Sequence, residues 1–199
     1  LAFIKSFKMD HTTQKQITTW LISACILIFI MILIGGMTRL TKSGLSMVEW
    51  HPISGVIPPI SEEDWLTEFE KYKKFPEYQK INRGMTLQEF KFIFFFEYVH
   101  RLIGRLLGIL FIIPFTWFLM KKKLHPPLMK KLLFMFFLGG FQGLYGWYMV
   151  QSGLVDVPQV SHYRLAGHLT LAFGLLAYIL WVTLDLNKEK FQKIFGKVR

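Results

Sequence analysis

Cysteine is almost absent from this 199-residue chain: Cys25 is the only one, and it lies inside an apolar run. A single thiol excludes an internal disulfide and any cysteine-cluster metal site. Acidic residues are also few, 13 Asp and Glu against 24 Lys and Arg, which leaves a net charge of +11. Such a balance can signal nucleic acid, but here the cations fall between long apolar runs. That arrangement is the signature of membrane topology, and nucleic acid is excluded as a partner. The segment ahead of the first run holds Lys5, Lys8 and Lys15 with Asp10 and lacks a signal-peptide pattern. No internal repeat and no low-complexity segment interrupts the chain.

What the chain has in quantity is apolar length. It is 52% hydrophobic and 17% aromatic, with 20 phenylalanines and a mean hydropathy of +0.35, the composition of a chain that faces lipid. Four segments reach the roughly 20 residues that a helical crossing needs: Ile17–Met37, Phe90–Met120, Leu132–Val150 and Leu165–Leu184. The expected fold is all-α, a polytopic four-helix transmembrane bundle. The second segment is overlong for one crossing, so it tilts or projects beyond the membrane, and Pro114 can bend it.

Lysine and arginine orient the spans. Lys121, Lys122, Lys123, Lys130 and Lys131 crowd the second connection, and Lys188, Lys190, Lys193, Lys197 and Arg199 the tail, whereas the connection Gln151–His162 has Asp156 and no cation. Both termini and the second connection are therefore expected on the cytoplasmic or matrix side. The organisation read from this is an N-terminal segment over 1–16, a four-span bundle over 17–185 with an outer cap at 38–89, and a basic tail over 186–199. Trp50, Pro52, Pro58, Pro59 and Trp65 predict a folded cap, and Glu62–Lys74 an amphipathic helix with Ser61 as its N-cap.

The chemistry concentrates in Lys91–Arg105, KFIFFFEYVHRLIGR, where Glu97, His100, Arg101 and Arg105 are ionisable groups at the start of a span. Such groups are costly in a membrane and mark function by default. Glu97 and His100 share one helical face. His100 and His168 lie at matching depth on two spans that both run inward from the outer face, roughly 12–15 Å below the boundary. Two imidazoles so placed can ligate one haem iron inside a four-helix interior; the plainer alternative is two packed, hydrogen-bonded histidines. Gly104, Gly108 and Gly167 leave room for a flat macrocycle or for close helix packing. Arg39, Arg101, Arg105 and Arg164 suit propionates, though Arg101 and Arg105 can equally pair with Glu97. Glu97 itself is either a proton-transfer group or half of a structural ion pair. His162 reads as an interfacial residue, His51 and His125 as solvated loop residues; His11 carries no signal.

Three runs carry a resemblance. GGMTRLTKSGLSMVEWHPISGVIPP (Gly35–Pro59), EYVHRLIGR (Glu97–Arg105) and VSHYRLAGHL (Val160–Leu169) resemble the haem A synthase family (Cox15/CtaA), in its Cox15-type branch, and the likeness extends through essentially the whole chain. It implies an oxidoreductase that converts haem O to haem A for cytochrome oxidase assembly, oxidising a porphyrin methyl group to a formyl group through hydroxylated intermediates. It further implies His100 and His168 as axial ligands of the haem iron and Glu97 as the catalytic carboxylate. Family enzymes have eight spans in two four-helix halves, and the likeness here is to the N-terminal, substrate-haem half; haem b is expected in the C-terminal half. The chain is thus expected to be a fragment or truncated product, or to take its second half from a separate chain, or to self-associate. Haem O synthase and membrane lipid are further expected partners, in a bacterial cell membrane or the mitochondrial inner membrane. The non-catalytic alternative is a b-type electron carrier or haem chaperone; a small transporter or assembly subunit is a third.

Overall fold

The computed structural model describes residues 9–49 and 54–188. Trp50, His51 and Pro52 of the expected cap, Lys5 and Lys8, and the tail from residue 189 onward lie outside them. Among the described residues six α-helices form, α1 (His11–Leu40), α2 (Glu62–Tyr72), α3 (Pro76–Lys80), α4 (Leu87–Met120), α5 (Pro126–Gln151) and α6 (His162–Leu186), with one 3-10 turn at Ser54–Val56. No strand occurs among the described residues. α1, α4, α5 and α6 are each long and apolar enough to cross a membrane. α1, α4 and α5 start ahead of the apolar segments read from sequence because side-chain caps hold their first turns. Asp10 accepts from the Thr13 amide at 2.8 Å ahead of α1, and Thr86 and Glu89 form a capping box ahead of α4.

His125, expected as a solvated loop residue, caps α5: its Nδ1 accepts from the Leu128 amide at 3.3 Å, just before Pro126 and Pro127. Burial and the nearby Lys131 charge hold this imidazole below its usual range, which favours the neutral ring that this hydrogen bond needs.

α1 pairs with α4 and α6, α5 pairs with α6, and α4 meets α5 more lightly. The helices therefore follow one another around the bundle as α4, α1, α6, α5, with α4 and α6 at opposite corners. The tight core fills only one end, where Ile17, Leu21, Leu132, Met135, Ile179 and Val182 are fully or almost fully buried. Ties at the same end close it: Gln14 donates to the Leu186 carbonyl at 2.6 Å, and Lys131 pairs with Asp185 at 2.6 Å. Towards the other end no residue of α5 after Met135 and none of α6 before Leu175 is buried, so the tight core is confined to one end.

Pro114 sits inside α4 without ending it. Proline has no N–H, so the Leu110 carbonyl one turn back loses its helical donor. The indole N–H of Trp20 on α1 takes that place, donating to the Leu110 oxygen at 2.8 Å. A span tolerates proline when a neighbouring helix re-satisfies the freed carbonyl. Trp20→Phe keeps the ring contacts with Phe111 and Phe118 but orphans the carbonyl. It is expected to destabilise the bundle by about 1–3 kcal/mol, read as a lowered thermal midpoint in detergent.

The overlong helix is explained by the cap. α4 is 34 residues, about 50 Å, against roughly 30 Å of hydrocarbon, and its first turns carry α2. As the sequence predicts, Ser61 caps α2, exchanging hydrogen bonds of 3.0 Å with Asp64 in both directions. The apolar side of α2 then lies on α4: Phe69 and Tyr72 pack on Phe90 with centroids 5.0 and 5.1 Å apart, and Trp65 meets Phe94 edge-on at 5.1 Å. α1 ends in a Schellman turn in which Lys42 takes a positive φ of 54° and the Ser43 amide donates to the Thr38 carbonyl at 2.9 Å. This turn sends the following loop back across the end of the bundle that carries α2.

Candidate functional site

Glu97 is 3% exposed and is gripped from two directions. From its own helix, one turn on, Arg101 donates to Oε1 at 2.5 Å. From the loop after α1, the Ser46 hydroxyl and the Met47 amide both donate to Oε2 at 2.8 Å. The Arg101 guanidinium continues to the same loop, donating to the carbonyls of Met47 at 2.8 Å and Glu49 at 3.1 Å. Loop and helix are thus clasped through one carboxylate and one guanidinium. The loop is anchored on its other side too, where the buried Leu45 side chain covers Gly153 in the α5–α6 connection so closely that a Cβ there would come 2.7 Å from it.

One turn inward of Glu97, His100 projects from α4 towards Gly35 of α1, where an added Cβ would lie 3.2 Å from Nε2. On the opposite corner, His168 of α6 faces Gly146 of α5, where a Cβ would lie 2.9 Å from Cε1. Gly35 is five residues from the end of α1, Gly146 five from the end of α5, and His168 six into α6. At 1.5 Å per residue, both imidazoles therefore sit about 8–9 Å inside the helix ends on the side of the cap. Tyr145 stacks parallel to His168, with rings 10° apart in plane and 6.4 Å apart in centroid. Gln142 donates to the His168 carbonyl at 2.9 Å, and the buried Nδ1 of His168 has no hydrogen-bond partner among the described residues.

The glycines read from sequence behave differently from one another. Gly167 is filled by the Tyr145 ring, Gly104 meets Met31 at ordinary contact distance, and Gly108 opens on empty space. Of the arginines, Arg101 and Arg105 line a cleft of about 310 Å³ beneath Ile57, Pro58, Pro59 and Ile60. Arg164 lies over the Tyr148 ring at 3.8 Å and donates to the Tyr148 carbonyl at 2.8 Å. Arg39 is exposed in the last turn of α1, and His162 is exposed at the first residue of α6.

This donor set suits one kind of metal centre. No group of three His, Cys, Asp or Glu side chains able to hold a bare ion occurs among the described residues. Two imidazoles at one level, on opposite corners of the bundle, are too few for a naked ion. They are enough for an iron whose other four ligands come from a macrocycle.

Comparison with known proteins gives the family. The model of the COX15-CtaA family, described as cytochrome oxidase assembly protein, matches residues 18–199. The chain belongs to the COX15-CtaA family. Among curated proteins, it is 55% identical to the "Heme A synthase" of Flavobacterium psychrophilum, over 91% of this chain and 54% of that protein. It is 57% identical to that of Nitrosospira multiformis, over 87% and 49%, and 44% identical to that of Parvibaculum lavamentivorans, over 96% and 56%. The chain thus spans about half the length of the curated relatives it matches. No solved structure matches it. With four apolar spans and this membership, the COX15-CtaA chain is a multi-pass membrane protein. Several of its site residues escape sequence reading: Ser46 and Met47, which hold Glu97, and Gly35, Gly146, Gln142 and Tyr145, which back the two histidines.

Proposed function

We propose that this chain is the substrate-haem half of a haem A synthase, oxidising a methyl group of haem O to the formyl group of haem A for cytochrome oxidase assembly. The observation that carries the reading is the pair His100 and His168, level with each other on opposite corners, each backed by a glycine of a neighbouring helix. Bound between them, the haem supplies both the methyl group to be oxidised and the iron that is the redox centre. His100 and His168 would hold its iron. Arg39, Arg101, Arg105 and Arg164 ring the outer end, where guanidinium groups suit its propionates.

Methyl oxidation releases protons, and Glu97 is the group placed to take them, one turn outward from His100. Its surroundings allow the change of state. The Ser46 hydroxyl that donates to Glu97 also lies 2.9 Å from the Ser43 carbonyl, so it can turn to that acceptor and receive the proton of a newly protonated carboxyl. Arg101 keeps Glu97 aimed while the loop shields the site from water. Gly146→Ala is expected to push the His168 ring out of register and lower haem occupancy several-fold. Gly143→Ala, with nothing within 4 Å, leaves occupancy unchanged; extracted haem per protein reads both.

The turnover assigned here needs a second, C-terminal half with a haem b for electron transfer, in the same polypeptide, in a separate chain or through self-association, with haem O synthase as a supplier of substrate. The lysine distribution supports both termini facing the cytoplasm or matrix, with the cap on the far side of a bacterial cell membrane or the mitochondrial inner membrane. The test is to produce the chain with a matching C-terminal half in cells that make haem O, then extract and separate the haems. Haem A is the expected product; haem O alone, from a paired and haem-loaded protein, overturns the reading.

A further inference from the structure

The outer cap contains a second buried carboxyl that the mechanism leaves unused. Glu77 of α3 is 5% exposed and Tyr72 of α2 fully buried. The Tyr72 hydroxyl donates to Glu77 Oε2 at 3.0 Å and accepts from the Asn82 amide at 2.7 Å. No lysine or arginine pairs with Glu77 among the described residues; Lys80, at the end of the same short helix, is turned to the Asp156 carbonyl at 2.6 Å. A carboxyl buried without a cation favours its neutral form. Among the described residues, the titratable groups that act on it are Tyr72 from α2, through its hydrogen bond, and Glu97 from α4, through its charge, and neither is a cation.

The pair also has a line of contact to the site. Tyr72 belongs to one apolar cluster with Phe69, Phe90, Ile93, Phe94 and Val48. Val48 directly follows Ser46 and Met47, the two residues of the loop that donate to Glu97, and Phe94 and Glu97 lie one turn apart on α4. Whatever loosens Tyr72 from Phe90 therefore loosens the packing that seats the loop on Glu97.

We propose that Glu77 and Tyr72 are a proton-sensitive latch: the neutral Glu77 carboxyl holds the cap closed on α4 and the Ser46–Met47 clamp on Glu97, and its ionisation releases both. Glu77 is thus a positioning residue that acts on Glu97 through the cap. Only the use of the clamp in methyl oxidation rests on the function proposed above; closure of the cap is measured without turnover.

Burial is the main cause that pushes the Glu77 carboxyl up, from its ordinary 4.5 to about 7, with the Glu97 charge adding to it and the Tyr72 hydrogen bond opposing. A raised carboxyl favours the closed cap fully below about pH 4.5, and that advantage is lost as pH rises through about 7. Hydrogen exchange of the α2 and α3 amides in the whole chain in detergent, corrected for the intrinsic pH dependence of exchange, reads the latch. The opening equilibrium is expected to rise on the order of tenfold to a hundredfold between pH 5 and pH 8. Glu77→Gln, which stays neutral, should flatten that dependence while keeping the cap protected, and Tyr72→Phe, which removes the donor to the ionised form, should move the release to higher pH. With the matching C-terminal half present, Glu77→Gln should flatten the corresponding limb of the pH profile of haem A formation at unchanged haem occupancy. Cap protection with the same pH dependence in parent and Glu77→Gln overturns the latch, even where haem A is formed. Absence of haem A in the parent overturns the proposed reaction and leaves the exchange result standing.

Discussion

Glu97→Ala is expected to abolish haem A formation while leaving most of the haem on the protein. The carboxylate touches Arg101, Ser46 and the Met47 amide but lies one turn from His100, so its loss removes the proton acceptor and spares both imidazoles. The substitution also strands the Arg101 guanidinium, whose side chain is only 15% exposed. Breaking a buried pair from one side costs about 3–5 kcal/mol. The lower end applies here, because Arg101 keeps the Met47 and Glu49 carbonyls as acceptors. Glu97→Gln is not a gentle control: its amide faces the donors of Ser46, Met47 and Arg101 with N–H groups of its own on one side. Asp at 97 retains the charge but withdraws it by one methylene, and it is expected to recover part of the stability and little of the turnover. Haem content by pyridine haemochrome and product by haem extraction separate the two effects. A Glu97→Ala protein that still forms haem A at the parental rate assigns Glu97 to structure alone and takes it out of the reaction.

His100→Ala and His168→Ala are each expected to lower haem occupancy by more than about tenfold, since even groups behind a metal ligand are worth 10–100-fold in affinity. The two losses should be similar, because the imidazoles sit at one depth and each is backed by a glycine. Added imidazole should restore part of the binding in both, as it can occupy the space that each truncation leaves. His162→Ala and His11→Ala are the controls: both residues are exposed, and neither change should alter occupancy. A large loss in only one of the two site variants points to a single axial ligand and a different sixth partner.

The four spans are legible in the sequence because lipid requires long apolar helices and leaves no other reading of such runs. α2 is legible as well, since Ser61 and Asp64 form a local capping box and the apolar residues behind them repeat on one face. α3 is not. Its five residues gain little from propensity, and Tyr78 is instead seated against Phe69 and Tyr72 from other parts of the chain. The same division runs through the site. The Glu97–Arg101 pair follows from helical spacing of four, and His100 and His168 from counting residues along two spans. Ser46 and the Met47 amide reach Glu97 across about fifty residues of chain, and a backbone N–H leaves no mark on composition. Gly35 and Gly146 come to face the histidines only through the register between helices, which depends on side-chain packing along their whole length. Pro114 announces a missing hydrogen bond, yet nothing local says that Trp20 replaces its donor.

The account rests on one haem being gripped by His100 and His168 together. Electron paramagnetic resonance of the ferric, haem-loaded protein tests this most directly. A low-spin signal of the bis-imidazole type is expected from the parent, with conversion of the remaining bound haem to a high-spin signal in both His100→Ala and His168→Ala. A parental low-spin signal that survives unchanged in either variant contradicts it.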